Sequence, residues 1–263
     1  MTDWQKIRED DCAVPAGVSL DDLVDRLSLA LRDPDPEVRD GAPYGVLMTW
    51  IRRGVIDAPR RSALGDEMAA RFADPEIQAR TFAPLVLDMI VTHGGFSPAW
   101  VDAFARWYPA ETDLRGHDPV VGWLHAVAHG ADLLGRFGLC PEVAPTRMLD
   151  LAAARLLART DHVFAEQEDD RLAQAVALTL TRPELTEAES LGWLTPVRQD
   201  FAALGGGPTP AHASNSMRTL RMLYLLADRG VRTSAGAEPA ELVHREALKE
   251  GLADVLQVVF QHA

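Results

Sequence analysis

The chain has 263 residues, 47% of them hydrophobic and 25% charged, the balance of an ordinary globular protein long enough to fold without a metal or disulfide staple. Its 26 basic and 39 acidic residues leave a net charge of −13, which repels phosphate backbones and anionic headgroups and argues against nucleic acid and membrane partners. Cys12 and Cys140 stand far apart in no metal-ligand spacing, the N-terminus lacks an apolar signal core, and no stretch nears the ~18–20 apolar residues of a membrane span, so the expected setting is the reduced cytoplasm.

In chain order, residues 1–18 read as an N-terminal extension. Ser19 then opens a capping-box-like start for a helix over 20–31. Asp35-Pro36-Glu37 opens the next, running through Tyr44, Leu47, Trp50 and Ile51, because a proline loses nothing at the first helical position. Arg52, Arg53, Arg60 and Arg61 are the best candidate for a basic patch, although charges around a helix end more often serve solubility and dipole matching. Asp74-Pro75-Glu76 repeats the starting device before Phe82, Leu85, Val86, Met89 and Ile90. Ser97-Pro98 opens a helix through Trp100, Phe104 and Trp107, and Asp118-Pro119 opens one through Trp123, Val127, Leu134 and Phe137. Further helices are predicted over 145–159, 168–181, 187–204, 214–229 and 239–261, with loops at 205–213 and 230–238. Strand signal is almost absent.

The starts recur. Asp35 to Asp74 is 39 residues and Asp74 to Asp118 is 44, and the Glu168 and Ser214 starts follow at 50 and 46. Stacked helix pairs of the HEAT and armadillo type have periods of roughly 40–47 residues. The expectation is an all-α chain in which residues 1–263 form one curved, right-handed, solenoid-like domain of such pairs. The competing reading is chance recurrence of a common helix start in a non-repeating bundle.

The densest polar cluster follows. Glu111-Thr-Asp113-Leu-Arg115-Gly-His117-Asp118 leads into Gly122-Trp-Leu-His125-Ala-Val-Ala-His129-Gly-Ala-Asp132. On a continuous helix, His125, His129, Asp132 and Arg136 would fall within about 60° of one another, with Trp123, Val127, Gly130, Leu134 and Phe137 opposite. Two histidines four apart with a carboxylate are a candidate ligand set for zinc, iron or manganese, or an acid–base group. The glutamate of His-Glu-x-x-His is missing, so zinc-protease chemistry is not supported. The bland reading is a helix face whose charges pair with neighbouring arginines.

A second group belongs on the same face if repeats stack: Arg39, Asp40 and Tyr44, then Arg80, then Asp169, Asp170 and Arg171, then Arg218 and Arg221. With Glu111, Asp113, Arg115 and Trp123 these would line a polar groove for a small anionic ligand, a peptide or a sugar. Alternatively, they clamp adjacent repeats, the reading preferred for Arg39-Asp40. No Gly-x-Ser-x-Gly, Walker loop or Gly-x-Gly-x-x-Gly is present.

The segments Arg39–Tyr44, Arg80-Thr-Phe, Glu111–Gly116, Gly122–Asp132, Glu168-Asp-Asp-Arg-Leu-Ala173 and Leu220-Arg-Met-Leu-Tyr224 together resemble a bacterial family known as domain of unknown function 2785. The likeness spans roughly 18–230, and Gly-Trp-Leu-His through Asp132 is its most specific piece. It implies an all-helical fold and places His125, His129, Asp132, Arg115, Arg39 and Asp40 in the family pattern, without implying an activity. Two functions follow as expectations: a binding or scaffold protein with a polar concave groove, or a hydrolase built on His125, His129 and Asp132.

Overall fold

The computed structural model describes residues 2–234 and 236–259. The predicted extension is folded: Asp3 caps helix α1 (Trp4–Glu9), Ile7 is buried, and the Trp50 indole donates to the Cys12 carbonyl at 2.7 Å. Ser19 caps α2 (Leu20–Ala30) as expected. The Asp35-Pro36 start makes a single turn, α3 (Pro36–Arg39), and the chain breaks at Asp40-Gly41 before α4 (Ala42–Arg52). Asp57 caps α5 (Ala58–Arg71), a helix missed in the sequence because its apolar stripe is thin. Then come α6 (Ile77–Thr92) and α7 (Pro98–Trp107).

The largest departure is at Asp118-Pro119. A short ribbon forms instead of a helix, β1 (His117–Asp118) against β2 (Gly122–Trp123), and α8 (Ala126–Leu139) starts only after His125. Asp118 is the cause: its carboxylate accepts the N–H groups of Val120 and Val121, closing a turn where a helix would have needed them. Gly122, at φ +72°, completes that turn without the strain a side chain would carry.

Helices α9 (Pro145–Leu157) and α10 (Glu168–Thr179) match their predicted spans closely. The predicted 187–204 helix is divided into α11 (Glu187–Gly192) and α12 (Leu194–Ala202). Helix α13 (Ala211–Arg229) begins inside the predicted 205–213 loop. A second ribbon, β3 (Val231–Arg232) with β4 (Pro239–Ala240), occupies part of the predicted 230–238 loop and the start of the predicted last helix. That helix, α14 (Arg245–Gln257), begins six residues late; 260–261 of the predicted span lie outside the described residues.

Pairwise contacts connect most helices into two series, or rows. In the first, α4 meets α6 through Tyr44 and Phe82, α6 meets α8 through Thr81 with His129 and Asp88 with Arg136, α8 meets α10 through Asp132 with Arg171, and α10 meets α13 through Asp169 with Arg218. In the second, α2 meets α5 through Ser28 and Arg71, α5 meets α7 through Asp66 and Trp100, and α7 meets α9 through Asp102 and Arg147. Within the first row, successive contacts lie 38 to 49 residues apart in sequence.

The rows enclose one continuous apolar core that includes Trp50, Trp100, Phe104, Phe137 and Trp193. Close helix approach depends on small residues: a Cβ on Gly130 would stand 2.2 Å from the Tyr108 ring, and one on Gly138 would stand 3.0 Å from Thr179 Cβ. The arginines proposed as a basic patch are divided among partners, Arg53 on Asp11 and Arg60 on Asp21 and Asp25. Both cysteines are free. Among the described residues no helix is long and apolar enough to cross a membrane.

Candidate functional site

A small second cluster, Leu114, Val127 and Phe164, pins the segments before α8 and before α10 side by side. Over it lies the ribbon of residues 117–123, held from below by Arg39. That guanidinium is fully buried and donates to the carbonyls of Asp33, Val121 and Trp123, at 3.0, 2.7 and 3.3 Å, and to Asp40 at 2.8 Å. It also sits 5.0 Å from the Phe82 ring. Arg39 thus ties the ribbon to the start of α3 through backbone carbonyls, and its one carboxylate partner is the adjacent Asp40 and not a residue of another repeat.

His125 caps α8 in the left-handed conformation, φ 51°, which costs a side-chain-bearing residue on the order of 1 kcal/mol. Its backbone N–H reaches the carbonyls of Arg115 and Gly116, both at 3.2 Å. Its ring stacks flat on Trp123, with centroids 4.5 Å apart and planes within 4°. Burial, then the nearby Arg171 charge, pushes the imidazole below its usual pKa. Nδ1 faces the buried carboxylate of Glu168 at 3.9 Å.

His129 lies one turn into α8. Its Nδ1 is 2.9 Å from the Thr81 carbonyl, so that nitrogen carries the proton, and its ring meets Phe82 edge to face. Burial drives its pKa down to about 3, leaving the ring neutral. Asp132 accepts two hydrogen bonds from Arg171, the Nε bond being 2.8 Å. Thus the imidazoles are neighbours, with centroids 5.4 Å apart, while the carboxylate turns away to α10. Among the described residues no three His, Cys, Asp or Glu side chains are grouped to hold a metal ion. The single helical face drawn through His125, Asp132 and Arg136 fails because His125 precedes the helix, and Trp123 lies in the ribbon instead of on an opposite face.

The remaining candidates divide. Arg80 and Glu111 form a bidentate pair, at 2.6 and 3.2 Å, with Glu111 also taking the Trp107 indole N–H and the Asp113 N–H. Burial opposes the Glu111 charge, but Arg80 and the other donors outweigh it and hold the carboxyl below its usual range. Arg115 bridges Asp113 and Asp118 across the base of the ribbon. Tyr44 stands beside Asp88 and Asp132 with its hydroxyl pKa pushed up to about 12, mainly by burial. Asp170 and Arg221 are exposed, on α10 and α13.

One cleft opens on the first row, about 320 Å³, lined by Asp88, Asp132, Arg136, Arg171, Gln174 and Arg232 among others. Asp88 pairs with Arg136 at 2.7 Å, and burial raises the pKa of both aspartates against their arginines. Sequence reading missed Asp88 and Arg232. Asp88 was findable: Thr81 and His129 are 48 residues apart, and the same step from Arg136 lands on it. Arg232 arrives on β3, which helical periodicity does not reveal.

A family described as "protein of unknown function (DUF2785)" matches residues 70–225, the stretch containing α6, α7, α8, α9, α10, α11, α12 and most of α13. The chain belongs to this family. Neither a curated protein nor a solved structure matches the chain. Within the DUF2785 match lie both imidazoles, Glu168 and the Asp–Arg pairs. Arg39, Asp40, Tyr44 and Arg232 lie outside it, so the clamp under the ribbon and one wall of the cleft are supplied by flanking segments.

Proposed function

We propose that this protein is a HEAT/armadillo-like binding protein whose first helical row is a concave face, and that the cleft on that face takes a small anionic ligand. A step of 38 to 49 residues between row neighbours supports the repeat reading. The observation carrying the ligand class is local charge. Three arginines and two aspartates line the cleft, a net positive site on a chain of net charge −13. Arg232 donates to the Ala237 carbonyl, so its charge is not neutralised there by a carboxylate. Guanidinium forks bind carboxylates and phosphates through two parallel hydrogen bonds, and each arginine carries five donors.

Isothermal titration with inorganic phosphate and citrate tests this. Binding should weaken with added salt and fall about tenfold in Arg232→Gln, an exposed position, with the thermal midpoint checked alongside. Equal heats for wild type and Arg232→Gln, or none from either anion, would rule the reading out.

A further inference from the structure

Two buried polar atoms where α8 and α10 begin make no hydrogen bond to the protein: His125 Nδ1 and Glu168 Oε1. At 3.9 Å they are too far apart to bond each other. Glu168 is fully buried, and its other oxygen already accepts the Glu166 N–H at 2.8 Å. A buried carboxylate oxygen left without a donor bears its full desolvation penalty, so the pair is shaped for a third group.

Chemistry selects that group. A carboxylate oxygen only accepts, whereas the neutral imidazole donates from Nδ1 in one tautomer. A hydroxyl donates to the first and accepts from the second, and at roughly 2.8 Å to each it spans the separation. An anion is repelled by Glu168. A cation meets the positive ends of two helices, and Arg171 acts on the same ring.

The walls fit as well. A Cβ at residue 116 would come within 2.5 Å of both Glu168 Oε1 and Glu166 Cγ, so the Gly116 backbone packs against that oxygen as one wall and any larger residue would displace it. Trp123, stacked on His125, met by the His117 ring at 4.7 Å and still 45% exposed, borders the site as an apolar surface. We propose that His125 and Glu168 bind one hydroxyl of a sugar or polyol whose carbon skeleton lies along Trp123. Such a hydroxyl can replace an ordered water while reproducing both hydrogen bonds. None of the residues that would touch the hydroxyl or its carbon skeleton lines the anion cleft, so the two sites are tested separately.

The test is a nitrogen–proton correlation spectrum of the imidazoles, titrated with glycerol, ribitol and D-glucose. The His125 signals should report the Nδ1-protonated tautomer and move saturably with at least one probe, with a parallel change in Trp123 emission. Gly116→Ala should abolish the response; should that variant melt early, Glu168→Gln, which keeps the shape but swaps the acceptor for an amide, decides. Unmoved His125 signals with all three probes would overturn the proposal, as would an unchanged response in folded Glu168→Gln.

Discussion

His129 shows how burial sets the behaviour of one side chain. With its pKa near 3 in the folded protein and about 6.5 unfolded, it binds protons earlier in the unfolded state. Its contribution therefore destabilises the fold progressively as pH falls from about 6.5 towards 3, and is absent above that window. Replacing it with asparagine, whose amide nitrogen can keep the bond to Thr81, removes the titration but not the contact. Urea unfolding at pH 7 and pH 5 should show a wild-type loss about 1–2 kcal/mol larger than that of His129→Asn. Equal losses would mean that His129 titrates normally. That neutrality was not legible in the sequence, since the i, i+4 histidine spacing says nothing about which carbonyl lies opposite.

Helix α8 carries the consequences of close approach. An alanine in place of a mid-helix glycine ordinarily adds about 1 kcal/mol of helix stability. At Gly130 the sign reverses, because the new methyl would overlap the Tyr108 ring, whose hydroxyl is already fixed on the Val127 carbonyl at 2.9 Å. Gly130→Ala should cost about 1–3 kcal/mol, read as a drop in thermal midpoint; a rise would show that Tyr108 moves aside freely. The elements themselves were readable at several places where a capping residue or N1 proline coincided with an apolar stripe, as at Ser19 and Pro98. They were misread at Asp118-Pro119, where the same two residue types build a turn, because a carboxylate that accepts the next N–H groups serves either structure.

Across the molecule, the recurrence of starts in the sequence corresponds to a recurrence of contacts. Three aspartates of the first row reach an arginine of the next helix: Asp88 to Arg136, Asp132 to Arg171, Asp169 to Arg218. The sequence offered Arg136, Asp132, Arg171, Asp169 and Arg218 as polar residues of one face without showing which pairs with which, and Asp88 went unnoticed. Partly exposed pairs of this kind are worth up to about 1 kcal/mol each, so they set register more than they stabilise. The ligand hypotheses had the same limit: residue types were legible, but the cleft needs Arg232 from a ribbon without periodic signal.

Arg39 stands apart from this neighbour-to-neighbour pattern. Other side-chain hydrogen bonds among the described residues span at most 60 positions, whereas Arg39 reaches Val121 and Trp123 over 82 and 84. A chain held only by adjacent units unzips from its ends in small steps. One strap across two units joins their opening into a single event. In Arg39→Met, hydrogen exchange at 117–123 should quicken and separate from that of α8, with global stability lower by about 3 kcal/mol; unaltered exchange there would show that the strap couples nothing. The far half, where no side-chain hydrogen bond among the described residues spans so many positions, should then be where this protein first comes apart, and where a growing chain has least to lose by folding late.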